Sequence, residues 1–173
     1  MITVAIIGAG PLGRWLALEA ARAGFDVLLE DVMPGNLHHA QELIREQINA
    51  ASAPSVRFVS TVEEAVREAD LAIDCVPDEL ESKLEILWLL DRMSPPRTVF
   101  ATPTTRHSIE DLAGCTYRPE KCVAIVAEPK ALTAGGSREI LLRTPACTAQ
   151  ETVALVDDFW RRLGFAPVFA VEG

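Results

Sequence analysis

The stretch that most limits what this chain can fold into is residues 2–13. There Ile2-Thr3-Val4-Ala5-Ile6-Ile7 runs directly into Gly8-Ala9-Gly10-Pro11-Leu12-Gly13. A continuous β-branched and apolar run fits a strand buried on both faces of a parallel sheet. Pro11 stands where a helix would begin, since its fixed φ suits the first helical turn. Leu12, Leu16, Ala20 and Ala23 then share one face, and Gly24 follows as a stop. Strand, glycine turn and helix together are the context in which G-x-G-x-x-G carries a mechanism. Gly8 permits the tight turn, Gly10 lets the backbone approach a pyrophosphate, and Gly13 lets the helix pack close on the strand. Amides at the helix start then face the phosphates, aided by the positive end of the dipole. Gly8, Ala9, Gly10, Pro11, Leu12 and Gly13 are therefore expected to hold the pyrophosphate of a dinucleotide.

The rest of the chain repeats the alternation of strand and helix. Strands are expected at 26–31, 56–60, 71–76, 98–101 and 122–127, with a less regular pair at 139–142 and 167–171, the last at an edge. Met33-Pro34-Gly35-Asn36 breaks the second strand, and a helix to about residue 50 follows. Thr61-Val62-Glu63-Glu64 opens a short helix with a capping-box pattern. Further helices are expected at 80–92, 108–113 and 151–163, and Thr102-Pro103-Thr104-Thr105 reads as a loop. On helix 80–92, Ile86 and Leu89 point away from Leu84 and Leu87; ordinary core packing is favoured there over an interface. The pattern predicts an α/β fold: a Rossmann-like, doubly wound, mostly parallel sheet with helices on both faces. No shift in composition divides the chain, so residues 1–173 are read as one NAD-binding domain.

Asp31 closes the second predicted strand, near the roughly 20-residue offset at which an acidic residue can accept hydrogen bonds from the adenosine ribose. Glu30 competes for the role, but neighbouring strand residues point to opposite faces. Asp31 is preferred because it lies further toward the carboxyl end. A carboxylate there repels a 2′-phosphate and no arginine follows closely, so NAD is expected rather than NADP. The net charge of −9 argues against nucleic acid and against an anionic membrane, which need basic patches. It does not argue against a dinucleotide held by backbone amides. Cys75, Cys115, Cys122 and Cys147 form no CxxC pair, and His38-His39 offer no zinc spacing, so no metal is expected. Cys75 and Cys122 read as buried small hydrophobes in a reducing, cytoplasmic setting. The N-terminus carries no basic region and is interrupted by glycines, unlike a signal peptide or a membrane span.

With these elements placed, the chain resembles the NAD-binding domain of L-3-hydroxyacyl-CoA dehydrogenases over nearly its whole length. VAIIGAGPLGRWLALEAARAGFDVLLED is similar to that family's opening, and LAIDCVPDELESKLEILWLLD to its segment with a carboxylate after the fourth strand and a lysine beyond it. TVFATPTTRHSIEDLA resembles FASNTSSLxxxxLA, and REILLRTPACTAQETVALVDDFWRRLGFAPVFAVEG resembles the closing stretch. The resemblance implies NAD as cofactor, hydride chemistry on a 3-hydroxyacyl or 3-oxoacyl substrate such as an acyl-CoA, and a place in fatty acid metabolism. It sets Asp78 on the family's glutamate near the cofactor, Lys83 on its lysine and Thr105 on its active-site serine. Val76, Pro77, Asp78, Lys83, Thr102 and Thr104 then belong to the cofactor site, where strands four and five end. Loop capping is an equally good account of any single threonine.

The sequence departs from the family where protons move. The stretch matching the family's histidine segment is Val123-Ala124-Ile125-Val126-Ala127-Glu128-Pro129, which has no histidine. The family asparagine falls on Glu128 or Pro129, the asparagine of SNTSS on Pro103, and the histidine-orienting glutamate on Ile140, beside Glu139. Alcohol oxidation needs a group that takes the hydroxyl proton. Thr105, His107 and a buried Glu128 are the candidates. His107 reads first as a surface residue, and His38-His39 as a solvated helix face. The family's helical domain is absent from these residues, which points to a homodimer or a partner subunit supplying it. Two readings stay open: an NAD-dependent oxidoreductase with altered or partner-supplied chemistry, and a catalytically silent NAD(H)-binding sensor or regulatory subunit.

Overall fold

The computed structural model describes residues 1–48 and 56–173. Among the described residues, eight strands form one sheet in the order β3-β2-β1-β4-β5-β6-β7-β8. They are β1 (Thr3–Ile7), β2 (Asp26–Glu30), β3 (Val56–Val59), β4 (Leu71–Asp74), β5 (Val99–Pro103), β6 (Cys122–Val126), β7 (Glu139–Thr144) and β8 (Ala166–Val171). All neighbours pair in parallel except β6 and β7. The chain order reverses direction at β1, between β2 and β4, which leaves a crevice at the carboxyl ends of the central strands.

Strand alternation divides the core between two faces. Val4, Ile6, Leu29, Ile73, Ala101 and Ile125 meet α1 (Pro11–Arg22), α2 (Pro34–Gln47), α6 (Pro129–Thr133) and α7 (Gln150–Arg162). Ala5, Ile7, Leu28, Ala72, Phe100 and Ala124 meet α3 (Val62–Val66), α4 (Leu80–Met93) and α5 (Ile109–Ala113). Apart from α6, the helices on both faces are those the strand–helix alternation requires.

The structure adjusts several expectations. Helix α2 starts at Pro34 itself, because proline is at home in a first helical turn. Its C-terminal end is Gln47, and the expected extension toward residue 50 lies outside the described residues. Strand β5 runs on through Thr102 and Pro103, which lie in register with Ala124 and Ile125; the expected loop begins at Thr104. Helix α6 has no counterpart in the sequence pattern, although Pro129 after Glu128 is an N1 proline signal. On α4, Ile86 is buried with Leu87 and Leu90, whereas Leu80 and Trp88 are exposed. The apolar residues left over on this helix therefore lie on the Leu80–Trp88 side, not at Ile86. Cys75 is only half-buried by surface, while Cys122 is fully buried. His38 and His39 are exposed as expected. Among the described residues, no helix is long and apolar enough to cross a membrane.

Candidate functional site

The glycine turn is dictated by contacts with its neighbours. Gly8 has φ +105°, and a Cβ there would lie 3.2 Å from the Cys75 carbonyl oxygen. At Gly13 a Cβ would come within 1.7 Å of the Gly8 carbonyl oxygen, a position no side chain can occupy. Gly10 is different: a Cβ there meets nothing of the chain within 4 Å. That open space lies on the cleft side of the loop, where the first-turn amides of α1 have no intrahelical acceptor. A pyrophosphate fits this cradle.

Asp31 is nearly buried and ties this loop to the next one. Its Oδ2 accepts the Ala9 amide at 2.9 Å and the Asn36 side-chain amide at 3.3 Å, and its Oδ1 accepts the Met33 amide at 2.8 Å. Oδ1 keeps acceptor capacity for a further donor. Glu30 lies on the opposite face of β2, on the α3 and α4 side with Leu28. Burial, and then the neighbouring Asp31 charge, push its carboxyl up to about 7.

A cleft of about 580 Å³ runs from Gly10–Gly13 past Cys75–Glu79 to residues 103–106 and 127–130. Val76, Pro77, Asp78, Thr104, Thr105 and Glu128 all line it. The Thr105 hydroxyl donates to Glu128 Oε1 at 2.9 Å, and the Thr105 amide donates to Asp78 Oδ2 at 3.1 Å. Elements distant in sequence thus bring together residues that the resemblance places only one by one. Glu128 is exposed, so the buried setting in which it could act alone is not supplied by these residues. His107 points elsewhere. Its Nε2 donates to the Asp78 carbonyl at 3.3 Å and lies 3.7 Å from Asp78 Oδ1, so it braces residue 78 from outside the cleft lining.

Three predicted residues lie beneath or beside the cleft instead of facing into it. Lys83 Nζ is 2.7 Å from Asp74 Oδ1, with side-chain exposures of 1% and 0%. Lys83 therefore reaches no ligand directly; it neutralises a buried carboxylate under the floor. Burial pushes the Asp74 carboxyl up, and Lys83 and the Val76 amide only partly counter it. Thr102 is buried beside this pair. Its hydroxyl and Asp74 Oδ2 each lack a partner within hydrogen-bonding geometry. Thr104 borders the cleft but is buried, and its hydroxyl accepts the amides of Arg106 and His107 at 3.3 and 3.1 Å. Loop capping is the better account of Thr104. Arg106, Lys130 and Thr133 also line the cleft, and no sequence motif singles them out; the last two arrive with helix α6.

A glycine cradle, an acidic residue closing β2 and a cleft outside the carboxyl ends of β1, β4 and β5 define an NAD-binding Rossmann domain of dehydrogenase type. Residues 3–172 match the family described as 3-hydroxyacyl-CoA dehydrogenase, NAD binding domain, and the chain belongs to that family, with NAD as cofactor. It is 27% identical over 181 residues to 5-formyl-3-hydroxy-2-methylpyridine 4-carboxylate 5-dehydrogenase of Mesorhizobium japonicum, covering 95% of this chain and 56% of that enzyme. It is 32% identical over 138 residues to L-carnitine dehydrogenase of Oceanobacillus iheyensis, covering 75% of this chain and 44% of that one. A solved structure of the former type of enzyme, described as an NAD+-dependent dismutase, superposes with a TM-score of 0.83 at 28% identity, over 100% of this chain and 59% of that chain. The chain spans about half the length of the curated relatives it matches.

Proposed function

We propose that this chain binds NAD(H) across the cleft and serves hydride transfer on a 3-hydroxyacyl or 3-oxoacyl-like substrate, with Thr105 and Glu128 handling the proton. The observation that carries this reading is the 2.9 Å hydrogen bond from the Thr105 hydroxyl to Glu128. NAD, when bound, accepts or returns the hydride. Gly8, Ala9, Gly10, Pro11, Leu12 and Gly13 hold the pyrophosphate, and Asp31 offers Oδ1 to the adenosine ribose. Val76, Pro77 and Asp78 form the wall beside the nicotinamide half. In the oxidising direction the substrate hydroxyl gives its proton to Thr105 Oγ1 as Thr105 passes its own to Glu128 Oε1. In reduction the two transfers reverse. Such positioned proton transfer contributes typically 10²–10⁴-fold.

Relatives named for a hydroxybutyryl-CoA, for carnitine and for a pyridine carboxylate substrate support a hydroxy- or oxo-compound carrying an acyl or carboxyl function. An acyl-CoA is one such compound, which would place the chain in fatty acid metabolism. The exposed Leu80 and Trp88, 49% and 51% accessible, support a homodimer or a partner subunit that completes the substrate site and covers Glu128. The competing reading is a catalytically silent NAD(H) sensor or regulatory subunit, favoured by the missing imidazole in the cleft.

Following the NADH absorbance band with acetoacetyl-CoA separates the two. Turnover by the wild type, lowered about 10²-fold by Thr105→Val or Glu128→Gln with NADH affinity within about twofold, supports the dehydrogenase. Intact NADH binding without turnover above background supports the silent module for that substrate.

A further inference from the structure

Residues 104–107 carry Thr105 from the end of β5 to the start of α5. The β5 side is fixed by the Thr104 amide, which donates to the Ile125 carbonyl at 3.0 Å. The α5 side has little strength of its own. Helix α5 has five residues, well below the length at which a helix holds itself in water. Its leading amides have no intrahelical acceptor, and its N-cap oxygen, Ser108 Oγ, reaches the Asp111 amide only at 3.3 Å.

A carboxylate from the far edge of the sheet supplies what is missing. Glu172 follows β8, three strands along the sheet from β5. Its Oε2 accepts the Ser108 hydroxyl at 2.7 Å and the Glu110 amide at 2.9 Å. Its own amide donates to the Thr144 carbonyl at 2.9 Å, which anchors residue 172 to the end of β7. Burial alone would push the Glu172 carboxyl up. Hydrogen bonds from Glu110, Ser108 and the Ile109 amide, with the Arg143 charge, outweigh it and hold the group below the usual carboxylate range. Glu172 is therefore ionised at neutral pH, and charge-assisted hydrogen bonds are the strong ones. A second strut comes from Glu110 Oε1, which accepts the Ala146 amide at 2.7 Å.

We propose that Glu172 is a positioning residue for Thr105. By clamping Ser108 and Glu110 it fixes where α5 begins, and so holds the 104–107 loop in the path that sets Thr105 between Asp78 and Glu128. This role rests on the reading above that Thr105 serves the reactive end. Glu172 does not line the cleft and acts only through the loop. No sequence pattern marks it, because its partners lie 62 and 64 positions away.

The test is residue-resolved amide hydrogen exchange on the wild type, E172Q, E172A and S108A, with NADH affinity and turnover measured alongside. The Thr105 amide is the diagnostic probe because its acceptor is Asp78, not Glu172. E172A is expected to speed exchange of both the Glu110 and Thr105 amides by about tenfold or more. E172Q, which keeps an acceptor oxygen without the charge, should fall between E172A and wild type. With acetoacetyl-CoA, kcat should fall about tenfold in E172A while NADH affinity stays within about twofold. If the Glu110 amide exchanges faster and the Thr105 amide does not, Glu172 is a helix cap only and the proposal is overturned. Should E172A fail to fold, S108A removes one of the two clamped donors and is judged on the same two amides. A wild type without turnover would count against the dehydrogenase reading, and the exchange data would still decide the clamp.

Discussion

The two ends of the cleft follow different rules. At the phosphate end, backbone contacts constrain most of the loop: Gly13 against the Gly8 carbonyl, Gly8 against Cys75, Asp31 against the Ala9 amide, with Gly10 left open. At the reactive end, side chains from separate elements meet. Thr105 follows β5, Glu128 precedes α6 and Asp78 follows β4. Backbone constraint leaves a short-range pattern of residue types, whereas side chains can be exchanged in sets as long as the set still meets. The first end thus keeps the family's form, whereas at the second a hydroxyl and a carboxylate meet where the family pattern has a histidine.

The largest expected effect lies in the first end. Gly13→Ala has no room for its Cβ, and forced overpacking against rigid backbone costs about 3 kcal/mol or more. In thermal denaturation this reads as a drop in Tm of roughly 10 °C, or as failure to fold. A soluble Gly13→Ala protein with wild-type Tm would break the claim that backbone contact sets this loop. Next is the floor beneath the reactive end. Lys83→Met strands Asp74 as an uncompensated buried charge, which costs about 3–5 kcal/mol. Adding Asp74→Leu should recover much of that loss in denaturant unfolding; no recovery would mean that Lys83 acts by something other than charge.

Gly10→Ala sharpens the contrast, since its Cβ meets only open space. Its Tm should match the wild type while NADH affinity falls about tenfold or more, about 1.4 kcal/mol. The smallest effect concerns Glu30. Its folded carboxyl titrates at about 7 against an ordinary 4.5. Between these values the unfolded chain binds fewer protons, so stability is full below about pH 4.5 and falls as pH rises through 7. Glu30→Gln should remove that loss. Unfolding measured near pH 8 should show the variant more stable than wild type, on the order of 1 kcal/mol. The gain should vanish near pH 4.5.

What can be read from the sequence follows the same division. The strand–helix alternation and the glycine loop are local patterns of period and residue type, and these alone place β1, α1, β2 and the open cradle at Gly10. Strand alternation says that only one of Glu30 and Asp31 can serve the loop, and the position of Asp31 nearer the carboxyl end selects it; Asp31 does hold the Ala9 amide. Lys83 shows the limit. Resemblance aligns it with a family lysine, but only the fold shows that Asp74 takes its charge. Thr102 reads as loop because a following proline suggests one, yet the strand continues through Pro103. Glu128 and Thr105 are each visible as candidates, but their hydrogen bond is not, since it joins positions 23 apart. Helix α6 is hidden for a plainer reason: five residues are too few to show a period, and the Glu128-Pro129 start signal stands alone without one.

The most direct test is a calorimetric titration of the folded protein with NADH and with NADPH. Saturable one-to-one binding of NADH is expected, with NADPH at least about tenfold weaker because of Asp31. A folded protein that gives no binding heat with either nucleotide would contradict it.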